Sequence, residues 1–241
     1  MRAQRSNLKQ GLVAIVGPTA VGKSELALHL GREFGAEIVS ADSRQVYRYM
    51  DIGTNKPTLT ERASIPHHII DVVNPDEDFN LATYCQLATE AIESIQSKDK
   101  LPLLVGGSGL YAWSLIEGWK IPRVPPDSRL RHDLEARAKQ EGSQFLYKEL
   151  QQIDSLAAAK ILPNNVRRII RALEIYQKTG QPPTQLWHKK APSFPILIIG
   201  LTVERSELYS RIDSRVDKMV QKGLVKEVEE LSKMGYSFSL P

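Results

Sequence analysis

Apolar and polar positions along the chain fall into two regimes. Up to about residue 118, short unbroken apolar runs alternate with stretches of helical period. Leu12–Val16, Glu37–Ala41, His68–Val72 and Leu101–Val105 have the length and composition of strands. Lys23 to Phe34 follows the first run as a helix, with Gly35 as its C-cap. Asn80 or Asp78 can cap a helix to about Ser97, where Leu81, Tyr84, Leu87, Ala88, Ala91, Ile92 and Ile95 share a face. A further helix starts near Ser108. Apolar strands separated by helices predict a parallel sheet covered on both faces.

The middle of the chain differs. Ile121–Pro126 carries three prolines and breaks any regular element. Only helical patterns follow: Asp127–Glu141 stopped by Gly142, Ser143 to about Gln151, Asp154–Leu162, and Asn164–Thr179 stopped by Gly180. A strand signal returns at Phe194–Leu201, Thr202 is read as the cap of a helix to Gly223, and a last helix reaches Gly235. The pattern predicts an α/β core, residues 1–119 and 191–241, interrupted by a helical insert at 120–190.

Composition removes several classes. A chain of 241 residues, 41% hydrophobic and 25% charged, folds into a globular core. No apolar run approaches the ~20 residues of a membrane span, so no membrane partner is expected. The basic start, Met1–Gln10, has no apolar stretch of the kind a signal peptide carries. Cys85 is the only cysteine and forms neither an internal disulfide nor a zinc site by itself, which fits a reducing, cytoplasmic compartment. His67 and His68 lack partners at ligand spacing and are read as strand-end packing. The net charge of +4 is uneven. Between Lys120 and Lys190 stand 14 Lys and Arg against 7 Asp and Glu; the rest holds 18 against 21. A basic block attracts phosphate backbones. A merely solvated basic face gives the same count, and charge alone leaves both readings open.

The chemistry enters at Gly17-Pro18-Thr19-Ala20-Val21-Gly22-Lys23-Ser24, which matches G-x-x-x-x-G-K-[ST] between a strand and a helix. The glycines let successive N–H groups turn inward, and the helix N-terminus adds partial positive charge. Lys23 offers a point charge to a terminal phosphate, and the Ser24 hydroxyl suits Mg2+ bridging phosphate oxygens. The core is therefore expected to be a P-loop NTPase-like parallel sheet. A guanine-reading N-K-x-D is missing, because Asn55-Lys56 continues Pro57-Thr58. The strand ending at Val105 runs into Gly106-Gly107, without the acidic end of a motor ATPase. Asp42 lies just beyond the second strand, at the crevice end of a parallel sheet. A carboxylate there can act on an acceptor, as in small-molecule kinases; a helix N-cap also explains it.

Seven segments in order carry a resemblance: Gly17–Ser24, Ser40–Tyr47, Met50–Thr54, Pro66–Asp71, Leu103–Tyr111, Arg167–Glu174 and Arg215–Met219. From about Leu12 to Gly235 the chain resembles the tRNA dimethylallyltransferase (tRNA isopentenyltransferase) family. The resemblance implies transfer of a dimethylallyl group from dimethylallyl diphosphate to N6 of adenine 37, in the anticodon arm of tRNAs reading codons that begin with U. The phosphate loop then binds the diphosphate leaving group, with Mg2+, and hydrolyses no ATP. It implies Asp42 as the proton acceptor at N6, and Ser108, where the family has Thr, as a hydroxyl near diphosphate and acceptor. It implies tRNA contacts at Asp42, Ser43, Arg44, Gln45 and Ser108, and at Arg167, Arg168, Ile169, Ile170 and Arg171. An Arg of the late helix should reach the diphosphate. With Leu208, Ile212, Val216 and Met219 as the apolar face, Arg215 lies beside that face and Arg211 further round, so Arg215 is preferred. A monomer is expected.

The residues support the RNA contact separately. On the helix from Asn164 to Thr179, Val166, Ile169, Ile170 and Leu173 share one face, with Arg167, Arg168, Arg171 and Lys178 opposite. The chain departs from the family at Arg44, often Met, and Tyr49, often Gly. It also lacks the family's closing Lys-Arg-Gln-rich helix, so 191–241 is read as truncated relative to the family. Two rivals remain: an ATP-using kinase of the shikimate or adenylate kinase type, with Asp42 orienting a hydroxyl, and a non-catalytic RNA-binding relic.

Overall fold

The structure is a computed structural model and describes residues 10–237; nearly all of the basic start and the closing residues 238–241 lie outside them. In chain order its elements are β1 (Leu12–Val16), α1 (Lys23–Phe34), β2 (Glu37–Ser40), α2 (Leu59–Ser64), β3 (His67–His68), α3 (Leu81–Ser97), β4 (Pro102–Val105), α4 (Gly109–Ile116), β5 (Trp119–Lys120), α5 (Ser128–Glu141), α6 (Ser143–Ile153), α7 (Ser155–Ala158), α8 (Val166–Thr179), α9 (Pro183–Leu186), β6 (His188–Lys189), β7 (Ile196–Gly200), α10 (Arg205–Gln221) and α11 (Leu224–Lys233). They form two compact units. One is the chain up to Gly118 together with the chain from Ala191; the other is Trp119–Lys190.

In the first unit five parallel strands lie in the order β3-β2-β4-β1-β7. Alternate residues of each strand point to opposite faces. Leu12, Ala14, Val39, Ala41 and Leu104 pack under α3 and α4 with Tyr84, Ala88, Ile92 and Ile95. Val13, Ile15, Ile38, Leu103 and Val105 pack on the other side with Ala27 and Ile65. Burial on both faces explains why these strands are apolar throughout. Helix ends follow local chemistry. The Asn80 side chain, rather than that of Asp78, accepts the N–H groups of Ala82 and Thr83, each at 3.0 Å. Gly35 closes α1 at φ 62°.

Several elements differ from the sequence expectation: β5, β6 and α9 stand where none was predicted, and the helix expected over 154–162 is confined to Ser155–Ala158. The third strand ends at His68, because the chain turns at Ile69 (φ 63°) and Asp71 (φ 57°). That turn carries the Asp71 carboxylate to Lys56 and Arg62, 2.6 Å from each. The short helix α2 was not expected, although Thr58 and Glu61 form a reciprocal capping box that its sequence spells out. The helix after β7 begins at Arg205 with Glu204 at its N-cap, so Thr202 does not cap it.

The second unit has its own core: Leu134, Leu146, Leu150, Ile169, Ile170 and Leu173 from α5, α6 and α8 are buried together. β5 and β6 pair antiparallel at its two chain ends. No described helix is long and apolar enough to cross a membrane.

Candidate active site

The turn from β1 into α1 depends on glycine at two points. At Gly17 (φ 151°) a Cβ would lie 2.5 Å from the Leu201 carbonyl oxygen. Gly22 sits at the N-cap of α1 with φ 100° and offers no side-chain cap, so the first N–H groups of the helix face the cavity without a capping side chain. Lys23 arches back over the loop, its ammonium donating to the carbonyls of Gly17 at 2.9 Å and Pro18 at 2.6 Å. Burial lowers the Lys23 pKa, Asp42 opposes that shift, and the neighbouring Arg215 adds to it.

Arg215 reaches this loop from α10. Its guanidinium donates to Thr19 Oγ1 at 2.7 Å, whereas Arg211 is paired with Glu207 at 2.5 Å on its own helix. The inward face of α10 is rotated from the expected one: Leu208, Ile212, Arg215 and Met219 are half-buried and Val216 is exposed. Arg215 therefore lies within the inward stripe, not beside it.

The carboxyl ends of β2 and β4 supply the opposite side. They approach so closely that a Cβ on Gly106 would lie 2.0 Å from the Ala41 carbonyl oxygen. The chain beyond them is fixed by Ser108, whose Oγ accepts the Ser43 N–H at 2.9 Å and donates to Ser43 Oγ at 3.1 Å. Asp42 accepts the Arg44 N–H at 2.8 Å, a local turn in place of a helix cap. Gln45 is held by its own amide: Oε1 accepts from Ser40 Oγ at 3.2 Å, and Nε2 donates to the carbonyls of Thr54 and Asn55 at 3.3 and 3.2 Å. Tyr49, where the related pattern often has Gly, adopts φ 65°, a region glycine enters without steric cost.

One cavity of about 980 Å³ is lined by Thr19, Ala20, Gly22, Lys23 and Ser24, by Asp42 to Gln45 and Ser108, and by Arg215. Gly17, Pro18 and Val21 complete the loop beneath it; Val21 is buried. The cavity thus joins a cationic phosphate cradle to a carboxylate and a hydroxyl within one unit. Among the described residues no group of three or more His, Cys, Asp or Glu could hold a metal by itself. His68 instead bonds Glu37 at 2.7 Å, and His67 bonds the Ile65 carbonyl at 2.7 Å.

The insert treats its expected contact residues differently. Ile169 and Ile170 are sealed in its core. Within the expected contact stretch, their side chains serve that core. Arg171 bonds the fully buried Glu174 at 2.5 Å and the Val124 carbonyl at 2.9 Å. Lys178 pairs with Asp127. Arg167 and Arg168 are exposed. Burial raises the Glu174 pKa, but hydrogen bonds from Arg131, the Asp127 N–H and Arg171 outweigh it and hold the carboxyl below its ordinary range.

A sequence profile described as IPP transferase matches residues 45–241. A tRNA dimethylallyltransferase of Roseiflexus castenholzii is 55% identical over 230 residues, spanning 95% of this chain and 75% of that protein. The crystal structure of the full-length tRNA isopentenylpyrophosphate transferase from Bacillus halodurans is 46% identical. It aligns with a TM-score of 0.62 over 94% of this chain and 71% of its own. A eukaryotic dimethylallyltransferase described as acting on tRNA is 32% identical, with a TM-score of 0.78 over 93% of this chain and 56% of its own.

Proposed function

The chain belongs to the IPP transferase family, and from that premise we propose that it is a tRNA dimethylallyltransferase. It moves the dimethylallyl group of dimethylallyl diphosphate to N6 of adenine 37 in the tRNA anticodon arm. The observation that carries this reading is the shared cavity, in which the cationic cradle of Lys23 and Arg215 stands with Asp42 and Ser108.

In the transfer, the allylic C–O bond breaks and its electron pair leaves with the diphosphate. The N6 lone pair forms the new C–N bond, and the N6 proton passes to the Asp42 carboxylate. Lys23, Arg215 and the N–H groups at the start of α1 stabilise the charge that collects on the leaving diphosphate. Ser108 and Ser43, bonded to each other, hold the acceptor loop beside Asp42. The base must leave its stack to enter such a cavity. The Ser24 hydroxyl lines the cavity, and as a hard oxygen donor it would help to hold Mg2+ bound with the diphosphate. That ion would supply further neutralisation of leaving-group charge. Arg167 and Arg168, exposed on α8, are the side chains of the insert suited to phosphates of the anticodon arm.

The test compares wild type and Lys23→Ala with unmodified tRNA, dimethylallyl diphosphate and Mg2+, by mass spectrometry of the digested nucleosides. Wild type should produce dimethylallyladenosine. The variant should lose roughly 10²–10³-fold in rate, the range for removal of one transition-state donor. Undiminished transfer by Lys23→Ala would remove this loop from the diphosphate site.

A further inference from the structure

The acceptor loop is tied down from a distance. After Tyr49 the chain makes a turn over residues 51–56, and the backbone N–H groups of Asp51, Ile52 and Gly53 converge on one carboxylate. That carboxylate is Glu227 in the first turn of α11, at 2.8 and 2.6 Å to Oε2 and 2.9 Å to Oε1. The fit is close: a Cβ on Gly53 would lie 3.2 Å from Leu224 Cδ1 and 3.4 Å from Glu227 Oε1. Successive N–H groups of this kind form an anion-binding concavity, and bonds to a charged acceptor are the stronger class.

The turn passes this restraint inward. Lys56, buried beneath it, donates to the Tyr47 carbonyl at 2.6 Å, to Asp51 at 2.8 Å and to Asp71 at 2.6 Å. The carbonyls of Thr54 and Asn55 hold the Gln45 amide, and Gln45 lines the cavity with Asp42. The helix before α11 carries Arg215 to the phosphate loop. Consecutive helices therefore hold the two sides of the cavity, α10 through Arg215 and α11 through Glu227.

We propose that Glu227 is a positioning residue for the acceptor. Its carboxylate fixes the 51–56 turn, which through Gln45 sets where the adenine meets Asp42. This inference rests on the reading of the cavity as a transferase site. Glu227 touches no reacting atom; it acts through the turn.

The test uses Glu227→Ala, Glu227→Gln, Gln45→Ala and the Glu227→Ala/Gln45→Ala double variant in the full chain. Rates are measured with each substrate varied, alongside thermal melting and amide hydrogen exchange. Glu227→Ala should lose about 10- to 100-fold in kcat/KM for tRNA, the scale of a misplaced reactant. The KM for dimethylallyl diphosphate should not change. Exchange at 51–53 should quicken while β1 stays protected. Glu227→Gln, which keeps one acceptor oxygen, should fall between. The double variant should lose little more than the worse single variant, because the two residues lie on one path. An unchanged kcat/KM for tRNA, an equal loss for both substrates, or additive losses would overturn the proposal. A wild-type protein that transfers nothing overturns the functional reading itself; transfer by wild type with an unaffected variant overturns only the positioning role.

Discussion

In the α/β unit, two cations at the cavity rest on neutral oxygens: Lys23 on two loop carbonyls and Arg215 on the Thr19 hydroxyl. In the insert, Arg131 and Arg171 end on Glu174, Arg137 on Glu149 and Lys178 on Asp127. The insert is the basic part of the chain, yet four of its cations are neutralised within it. In the less basic unit Lys56 and Arg211 at the cavity are likewise committed to carboxylates, whereas Lys23 and Arg215 are hydrogen-bonded to neutral oxygens. The difference teaches that net charge over a segment overstates what a phosphate meets. A cation committed to a carboxylate builds the fold; one resting on carbonyls or a hydroxyl can be drawn to an anion at small cost.

The largest effect expected falls on the α/β side. Asp42→Asn should reduce turnover by roughly 10²–10⁴-fold, the span of general-base loss, with tRNA affinity nearly intact. Single-turnover rates and tRNA binding measured on the same variant check this. Affinity lost in proportion to rate would make Asp42 a substrate-positioning group.

An intermediate effect is expected in the insert and concerns folding, not chemistry. Glu174 has its pKa lowered in the folded state, because hydrogen bonds from Arg131, the Asp127 N–H and Arg171 outweigh the opposing burial. Burial also raises the pKa of Asp154, but the N–H groups of Thr184 and Ala157 prevail and lower it. Carboxyls with depressed pKa stabilise the fold above their unfolded values, about 4, and lose that contribution as pH falls through the folded values. Acid melting followed by amide exchange should therefore show protection of α5 and α8 falling below about pH 4. In Glu174→Gln that acid dependence should shrink. An unchanged acid profile in the variant would mean that the Glu174 cluster does not govern insert stability.

The smallest effect sharpens the comparison within the insert. The double variant Arg167→Ala/Arg168→Ala should bind tRNA more weakly without losing stability. Its salt dependence should become shallower by up to ~0.9 log units per lost phosphate contact, if the arm behaves as a duplex. Arg171→Ala should act mainly on melting, since it strips a partner from a buried carboxylate. If all three arginines altered the salt slope alike, the division between structural and free cations would fail.

What the sequence made legible was what is local. The phosphate loop and the strands of the two-faced sheet announce themselves within a few residues, whereas the tight approach of Gly106 to Ala41 does not. The capping box at Thr58 and Glu61 is equally local, but six helical residues give little periodicity to mark it as a helix. The third strand is shorter than its apolar run, which does not reveal that Asp71 is held outside it by Lys56 and Arg62. On α10 the apolar period points to Arg215 rather than Arg211 but not to the rotation of the inward stripe, which includes Arg215 itself. The partners of Glu227 lie 174 to 176 residues away, so no pattern along the chain could have found them. For Arg167 to Arg171, helical periodicity separated the apolar from the basic face. It could not show that Arg171 is used by Glu174.

On the proposed function, the phosphate loop holds a leaving group and not a phosphoryl donor. The most direct measurement is a single-turnover reaction containing unmodified tRNA, dimethylallyl diphosphate, ATP and Mg2+, with all products quantified together. Diphosphate and dimethylallyladenosine should form in equal amounts, with ATP untouched. ADP formation with the adenosine left unmodified would contradict that function and return the site to a kinase.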